Sequence, residues 1–338
     1  MSRKKRSIPA LIDVARKAQV SAATVSRVIN GGKNVSPRTL AAVTSAIKSL
    51  RYYPSHAARS LKGAVTKTIG IIVPSVANPF FSSAADAIQR VASAHGCVVL
   101  LATSENNSAN EREKITTFIQ RRIDGLILVP SDATEANLLA HAGFPTVCLD
   151  QPIKGGALTT VLCDSFGGAR AATDHLIKLG YKRILCIGED PKLFTSQALF
   201  RGYRHAVREA GLPYLAEPNV RDYESAEAAV HAHLKSTEPI DAIFSTKNST
   251  TVYVYYILRK LGCPIPGSVA LLGYDDFVLA DALVPPISVV RQPVVEMATR
   301  AAELLFQQME TGIQSPSRLT LKVELVVRSS CGSGRASV

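Results

Sequence analysis

The stretch "LIDVARKAQVSAATVSRVING", Leu11 to Gly31, holds two helical patterns separated by a short break. Leu11, Val14, Ala15 and Ala18 recur at helical spacing, and Val20 and Ser21 interrupt them. Ser21 suits the N-cap of a second helix, because its hydroxyl can accept from an orphan backbone N–H. Val25, Val28 and Ile29 give that second helix its apolar face. A third helix is expected at "SPRTL", with Ser36 as cap, Pro37 in the first turn, and Leu40, Val43, Ile47 and Leu50 facing inward. Three short helices sharing one small core, two of them joined by a tight turn, read as a helix-turn-helix.

Charge supports that reading. The chain has 338 residues, too long for one ordinary domain, and a net charge of +12. Residues 1–65 hold 13 Lys and Arg against one acid, Asp13, so they account for the whole excess. A basic module on a neutral body points to nucleic acid or an anionic surface. In a helix-turn-helix the first turn of the second helix meets base edges in the major groove. Ala22, Ala23, Thr24, Ser26 and Arg27 occupy that region; Arg27 could reach guanine O6 and N7, and the alanines could meet a thymine methyl.

The connector "YPSHAARSLKG", Tyr53 to Gly63, places Leu61 where no core is evident. Its helical run is too short to be stable alone in water. From the residues two readings stand: a linker whose leucine packs on the next domain, or an apolar wedge driven between base steps in the minor groove.

From Thr68 the pattern changes. "TIGIIVP", "CVVLLATS", "DGLILVPS", "PTVCLD", "RILCIGE", "DAIFST" and "VALLGYDD" are apolar runs of strand length, with helices expected at 79–95, 109–121, 166–179, 199–210, 225–236 and 248–261. Fully apolar strands alternating with helices imply parallel sheets covered on both faces, here two doubly wound α/β subdomains. Ligands in this architecture lie at the C-terminal strand ends. Those ends are polar: Asp150, Asp164 with Ser165, Lys247 with Asn248, and Asp275 with Asp276. An aspartate can accept from a sugar hydroxyl, cap a helix or close a turn, and each position alone fits any of these.

Enzyme motifs are lacking: there is no G-x-S-x-G, no H-E-x-x-H and no full phosphate loop. The six cysteines are scattered, none in C-x-x-C, and the seven histidines lack ligand spacing, so neither metal nor cofactor is expected. No secretory pattern follows the basic start and no apolar run reaches membrane length, which suits a reducing cytoplasm. A solute-binding protein would share the body, but it would need a signal peptide and would not carry the basic head.

"LIDVARKAQVSAATVSRVING", "VSPRTLAAV", "LRYYPSHAARSLKG" and "TIGIIVPSVANPFF" together resemble the lac-repressor (LacI) family of bacterial transcription regulators, from about Ala10 to Arg328. The resemblance implies a helix-turn-helix head over 1–65, a hinge helix at about 54–63, and an effector-binding and dimerisation domain over 66–338. That domain would resemble a type I periplasmic binding protein, with interleaved subdomains at roughly 66–163 plus 293–318 and 164–290 plus 321–330. It implies that Ala22, Ala23 and Arg27 read the major groove and that Leu61 is a minor-groove wedge. Ser21, Thr24, Ser26, Asn30, His56, Arg59 and Lys62 are expected to join them on DNA. The partners implied are a two-fold-symmetric operator, a second copy of the chain and a small polar effector. Asn78, Phe80, Phe81, Asp150, Tyr223, Asp275 and Gln292 match the family's effector positions. Two places depart: Leu199 stands where relatives carry arginine, and Lys247-Asn248 replaces Asn-Asp. A lysine there would favour a sugar acid or phosphate, unless it is paired to an acid and the ligand is a neutral sugar. After Arg328 the tail "SSCGSGRASV" is too short for a tetramer-forming coiled coil.

Overall fold

The computed structural model describes residues 9–29, 35–52, 65–155 and 157–332. The expected contacts at Asn30, His56, Arg59, Leu61 and Lys62, and the hinge helix that would carry the last four, lie outside these residues. The chain divides into two compact units between Thr66 and Lys67.

The first unit contains α1 (Leu11–Ala18), α2 (Ala22–Ile29) and α3 (Pro37–Leu50). The Ser21 hydroxyl accepts from the Thr24 N–H at 3.1 Å, and that of Ser36 accepts from Thr39 N–H at 3.2 Å. Each cap satisfies a donor that the helix itself cannot. Val14, Ala15, Val25, Val43 and Ala46 are buried together, with Leu11, Ala18, Val28 and Ile47 packed around them. Two features depart from the periodic reading. Leu40 is 49 % exposed, because it lies in the first turn of α3 outside the contact with α1 and α2. Tyr52, just past the left-handed residue Arg51, is buried and closes the core.

The second unit contains two six-stranded sheets. In the first the order is β11-β5-β4-β3-β1-β2: β1 (Thr68–Val73), β2 (Val98–Thr103), β3 (Gly125–Leu128), β4 (Thr146–Leu149), β5 (Thr159–Cys163) and β11 (Arg318–Leu321), all parallel. In the second the order is β12-β10-β9-β8-β6-β7: β6 (Ile184–Ile187), β7 (Leu215–Glu217), β8 (Ala242–Ser245), β9 (Ala270–Tyr274), β10 (Ser288–Arg291) and β12 (Glu324–Val326). Only β12 runs antiparallel there. The chain crosses between the sheets after β5, after β10 and between β11 and β12.

Helices cover both faces of each sheet. α4 (Pro79–Ala94) and α11 (Val294–Thr311) bury one face of the first sheet, through Ala84, Ile88, Met297 and Leu305. α5 (Ser108–Arg121) and α6 (Ala136–Ala140) cover the other, through Ile115, Phe118 and Leu139. On the second sheet α7 (Ser165–Lys178) and α8 (Phe194–Glu209) lie opposite α9 (Tyr223–Leu234) and α10 (Asn248–Lys260). α7 and α8 pack closely enough that a Cβ at Gly202 would stand 2.3 Å from the Phe166 carbonyl oxygen. That contact explains the glycine in "FRGY". All six cysteines are free and five are buried. No described helix is long and apolar enough to cross a membrane.

Candidate DNA-reading helix and effector cleft

On α2, Ser21, Ala22, Ala23 and Arg27 are exposed, whereas Thr24 and Ser26 are half-buried. The Thr24 hydroxyl is held by Ser21 at 2.9 Å. Ala23 and Arg27 stand four residues apart, so they share one exposed face, while Val25 buries the opposite one. The head's one acid, Asp13, is engaged: it accepts from the Ala10 N–H at 2.9 Å and lies 3.6 Å from Arg16.

In the larger unit the strand ends of both subdomains face one cleft of about 280 Å³. β4 and β9 end alike. Asp150 N–H donates to Val161 O on β5 at 2.9 Å, and Asp275 N–H donates to Val290 O on β10 at 2.9 Å. Both residues take the left-handed conformation, with φ of +67° and +70°. Aspartate tolerates this better than most side chains. The two carboxylates therefore enter the cleft from equivalent points of the two sheets.

Their electrostatics follow from that placement. Burial, reinforced by the Asp275 charge, pushes the Asp150 carboxyl up to about 7. Asp150 is 9 % exposed and its carboxylate has no hydrogen-bond partner among the described residues. Burial likewise raises Asp275, to about 6; the Gln292 hydrogen bond and Lys247 pull it down, and Glu189 pushes it up. Gln292 Nε2 donates to Asp275 at 2.6 Å, while Gln292 Oε1 is buried with no partner. Just outside, Asp276 accepts from Arg291 at 2.7 Å and Arg328 at 3.0 Å. Burial would raise Asp276, but these two guanidiniums hold it below the usual carboxylate range. Asp276 and Arg291 are the chain neighbours of Asp275 and Gln292.

Apolar surface comes from the start of α4 and from α8. Phe80 and Phe81 meet edge to face at 5.1 Å, and Leu199 is a buried part of the opposite wall. Asn78 caps α4 through the Phe80 N–H at 3.0 Å and also accepts from Asn248 of the other subdomain at 3.2 Å. Asn78, Phe80, Phe81, Asp150, Lys247, Asp275 and Gln292 thus all line one cleft.

Two expected effector positions and one strand-end aspartate have other partners. Tyr223 is not in the cleft: it begins α9, donates to Glu227 at 3.3 Å, and packs beside Tyr253 on the core under α9 and α10. Asp164 caps α7, accepting from the Gly167 N–H at 2.8 Å. Lys247 lines the cleft, but its ammonium donates to Glu189. Glu189 ends the apolar run "RILCIG" by the same strand-end rule as the others, yet sequence reasoning misses it. Glu105, Asn106, Gln151 and Ser196 also line the cleft. Gln151 accepts from the Phe194 N–H across the subdomains at 3.3 Å.

A helix-turn-helix unit joined in one chain to a two-subdomain ligand cleft defines a ligand-responsive DNA-binding regulator. Residues 10–55 match bacterial regulatory proteins of the lacI family, and residues 173–331 match the periplasmic binding protein-like domain. A ribose operon repressor from Halalkalibacterium halodurans is 30 % identical over 96 % of this chain and 98 % of its own length. The HTH-type transcriptional regulator CelR from Thermobifida fusca is 33 % identical over 98 % and 100 %. A solved transcriptional regulator CelR–cellobiose complex is 31 % identical, with a TM-score of 0.71 over 95 % of this chain and 99 % of that one. The chain belongs to the lacI family of bacterial regulatory proteins, and it is a DNA-binding transcriptional regulator.

Proposed function

We propose that this regulator is a cytoplasmic, homodimeric repressor without catalytic activity, and that a sugar-like polyol in the interdomain cleft sets its operator affinity. The observation that carries the effector reading is the pair of strand-end carboxylates. Asp150 has no donor among the described residues, and Gln292 Oε1 is buried without a partner. Acceptors left in this state favour a ligand rich in hydroxyl donors. Phe80 and Phe81 offer the apolar surface on which a sugar ring's C–H face can rest. The names of the relatives point to ribose and cellobiose, which agrees with this chemistry.

On the DNA side, Ser21, Ala22, Ala23, Thr24, Ser26 and Arg27 would meet the major groove, and Asn30, His56, Arg59 and Lys62 the surrounding backbone and groove. Two copies of Leu61 would wedge the centre of a two-fold-symmetric site. The effector would change the angle between a subdomain of roughly 66–163 plus 293–318 and one of roughly 164–290 plus 321–330. Hinge separation, and with it operator affinity, would change in turn. The test is a thermal-shift screen of neutral sugars, sugar acids and sugar phosphates, then operator binding with each hit. A hit that shifts operator affinity supports the reading; a full panel without a single hit removes the sugar from it.

A further inference from the structure

The effector cleft is rich in acids. Glu105, Asp150, Glu189 and Asp275 line it, and Lys247 is its one base among the described residues. Leu199 adds apolar surface on the wall where the sequence resemblance puts an arginine. The position of the lysine is fixed by sheet register. β6 and β8 are parallel neighbours with Ile187 opposite Ser245, so Glu189 and Lys247 are each two residues beyond that matched pair. They emerge side by side at the cleft, and the Lys247 ammonium donates to the Glu189 carboxylate. Their side chains are 28 % and 27 % exposed, so neither charge has full access to water.

A base in this state differs from a free one. A carboxylate or phosphate entering the cleft would have to displace Glu189 from Lys247, leaving a partly desolvated anion behind. If it did not, it would meet Glu105 and two further acidic side chains, Asp150 and Asp275, that ionise near neutrality, with no free cation among the described lining residues to offset them. A hydroxyl faces no such penalty, since Asp150 and the remaining Glu189 oxygen can both accept from it.

We infer that Glu189 fixes the charge class of the effector: by occupying Lys247 it makes the cleft select neutral polyols over sugar acids and sugar phosphates. This rests on the proposed sugar-like effector and reverses the anionic ligand that Lys247 suggests in the bare sequence. Glu189 acts here on specificity, whereas Asp150 and Asp275 supply the acceptors common to either ligand.

The experiment is titration calorimetry of the full-length protein with pairs that share one pyranose ring and differ in charge at C6, D-glucose against D-glucuronate and D-glucose against D-glucose 6-phosphate. The wild type is expected to prefer the neutral member by at least about tenfold, since one charge-assisted hydrogen bond is worth roughly that factor or more. Glu189→Gln frees the ammonium and should raise the anion-to-neutral affinity ratio by roughly 10–100-fold. Adding Lys247→Gln to it should cancel the gain, which separates a freed cation from a loosened fold. An unchanged ratio in Glu189→Gln, a gain that survives in the double variant, or a wild type that takes the anion as tightly as its neutral partner overturns the assignment to Glu189. Binding of no member of these pairs, together with no hit in the sugar panel, overturns the sugar reading beneath it instead.

Discussion

The head and the effector unit use charge in opposite ways. Residues 1–65 carry the whole net +12, and Arg27 stands exposed on the helix expected to face DNA. The remainder is neutral overall, and at its cleft the one described lining lysine is tied to Glu189 while Asp150 and Asp275 are held in a buried setting. An exposed base attracts any polyanion at long range, and salt weakens that attraction. A compensated base beside buried acids discriminates at short range, through hydrogen bonds and desolvation. The contrast divides recognition: affinity for a polyanion in one unit, selection of a small molecule in the other.

The largest effect that would break this division concerns the head. A 67–338 fragment, which retains both sheets and their cores, should bind operator DNA more weakly than the full chain by about a thousandfold or more, the usual gap between specific and non-specific binding. Gel shift at two salt concentrations checks it, and comparable affinity in the fragment would place DNA binding in the wrong unit. Next comes the cleft. Asp275→Asn weakens the acceptor that faces Asp150 and should cost the best sugar of the screen roughly 1.5–3 kcal/mol in titration calorimetry, the scale of a hydrogen bond to a charged group. Arg27→Ala should cost about 1–3 kcal/mol at one half-site position. A uniform loss over all operator variants would reassign Arg27 to phosphate contact.

The smallest effect is a pH dependence. Asp150 and Asp275 are raised to about 7 and about 6, so in the free cleft they give up their protons near neutrality. Hydroxyl donors favour the ionised forms, so sugar binding should release protons and tighten a few-fold from about pH 5.5 to 7.5. Calorimetry in two buffers of different ionisation enthalpy checks the sign; proton uptake would contradict it. The same shifts act on stability in the opposite sense. A carboxyl raised above its unfolded value of about 3.9 stabilises the fold at low pH, and that contribution is lost as pH rises through about 6 to 7. Without sugar the effector unit should therefore lose this contribution between about pH 4 and 7.

How much of this could be read from residues alone depends on whether a signal is local. The caps Ser21 and Ser36, the apolar faces of α1 and α2, and the unbroken runs of β1, β3, β4, β6, β8 and β9 are local, and each was legible. Leu40 fits the period of α3 yet points to solvent, because period does not say how far a small core extends. Strand β7, at Leu215–Glu217, is half-buried and carries no apolar run to mark it. Strand ends located Asp150 and Asp275, but they left open whether Asp164 serves the cleft or caps a helix, and its carboxylate caps its own helix. Tyr223 matched by residue type alone, and its capping box at Asp222 anchors it to the start of α9, among core residues instead. The partnership of Lys247 with Glu189 depends on β6 and β8 being neighbours, 58 residues apart in the chain, and no local pattern records that.

In a regulator of this kind the cleft and the DNA-reading helix should be thermodynamically coupled. Coupling is reciprocal, so one measurement tests it directly: the affinity of the best sugar for the free protein against its affinity for the operator-bound protein, both by titration calorimetry. The two should differ by about 5–150-fold, and the same factor should separate operator affinities measured with and without saturating sugar. Equal sugar affinity for the free and operator-bound protein would contradict it, however tightly the sugar binds.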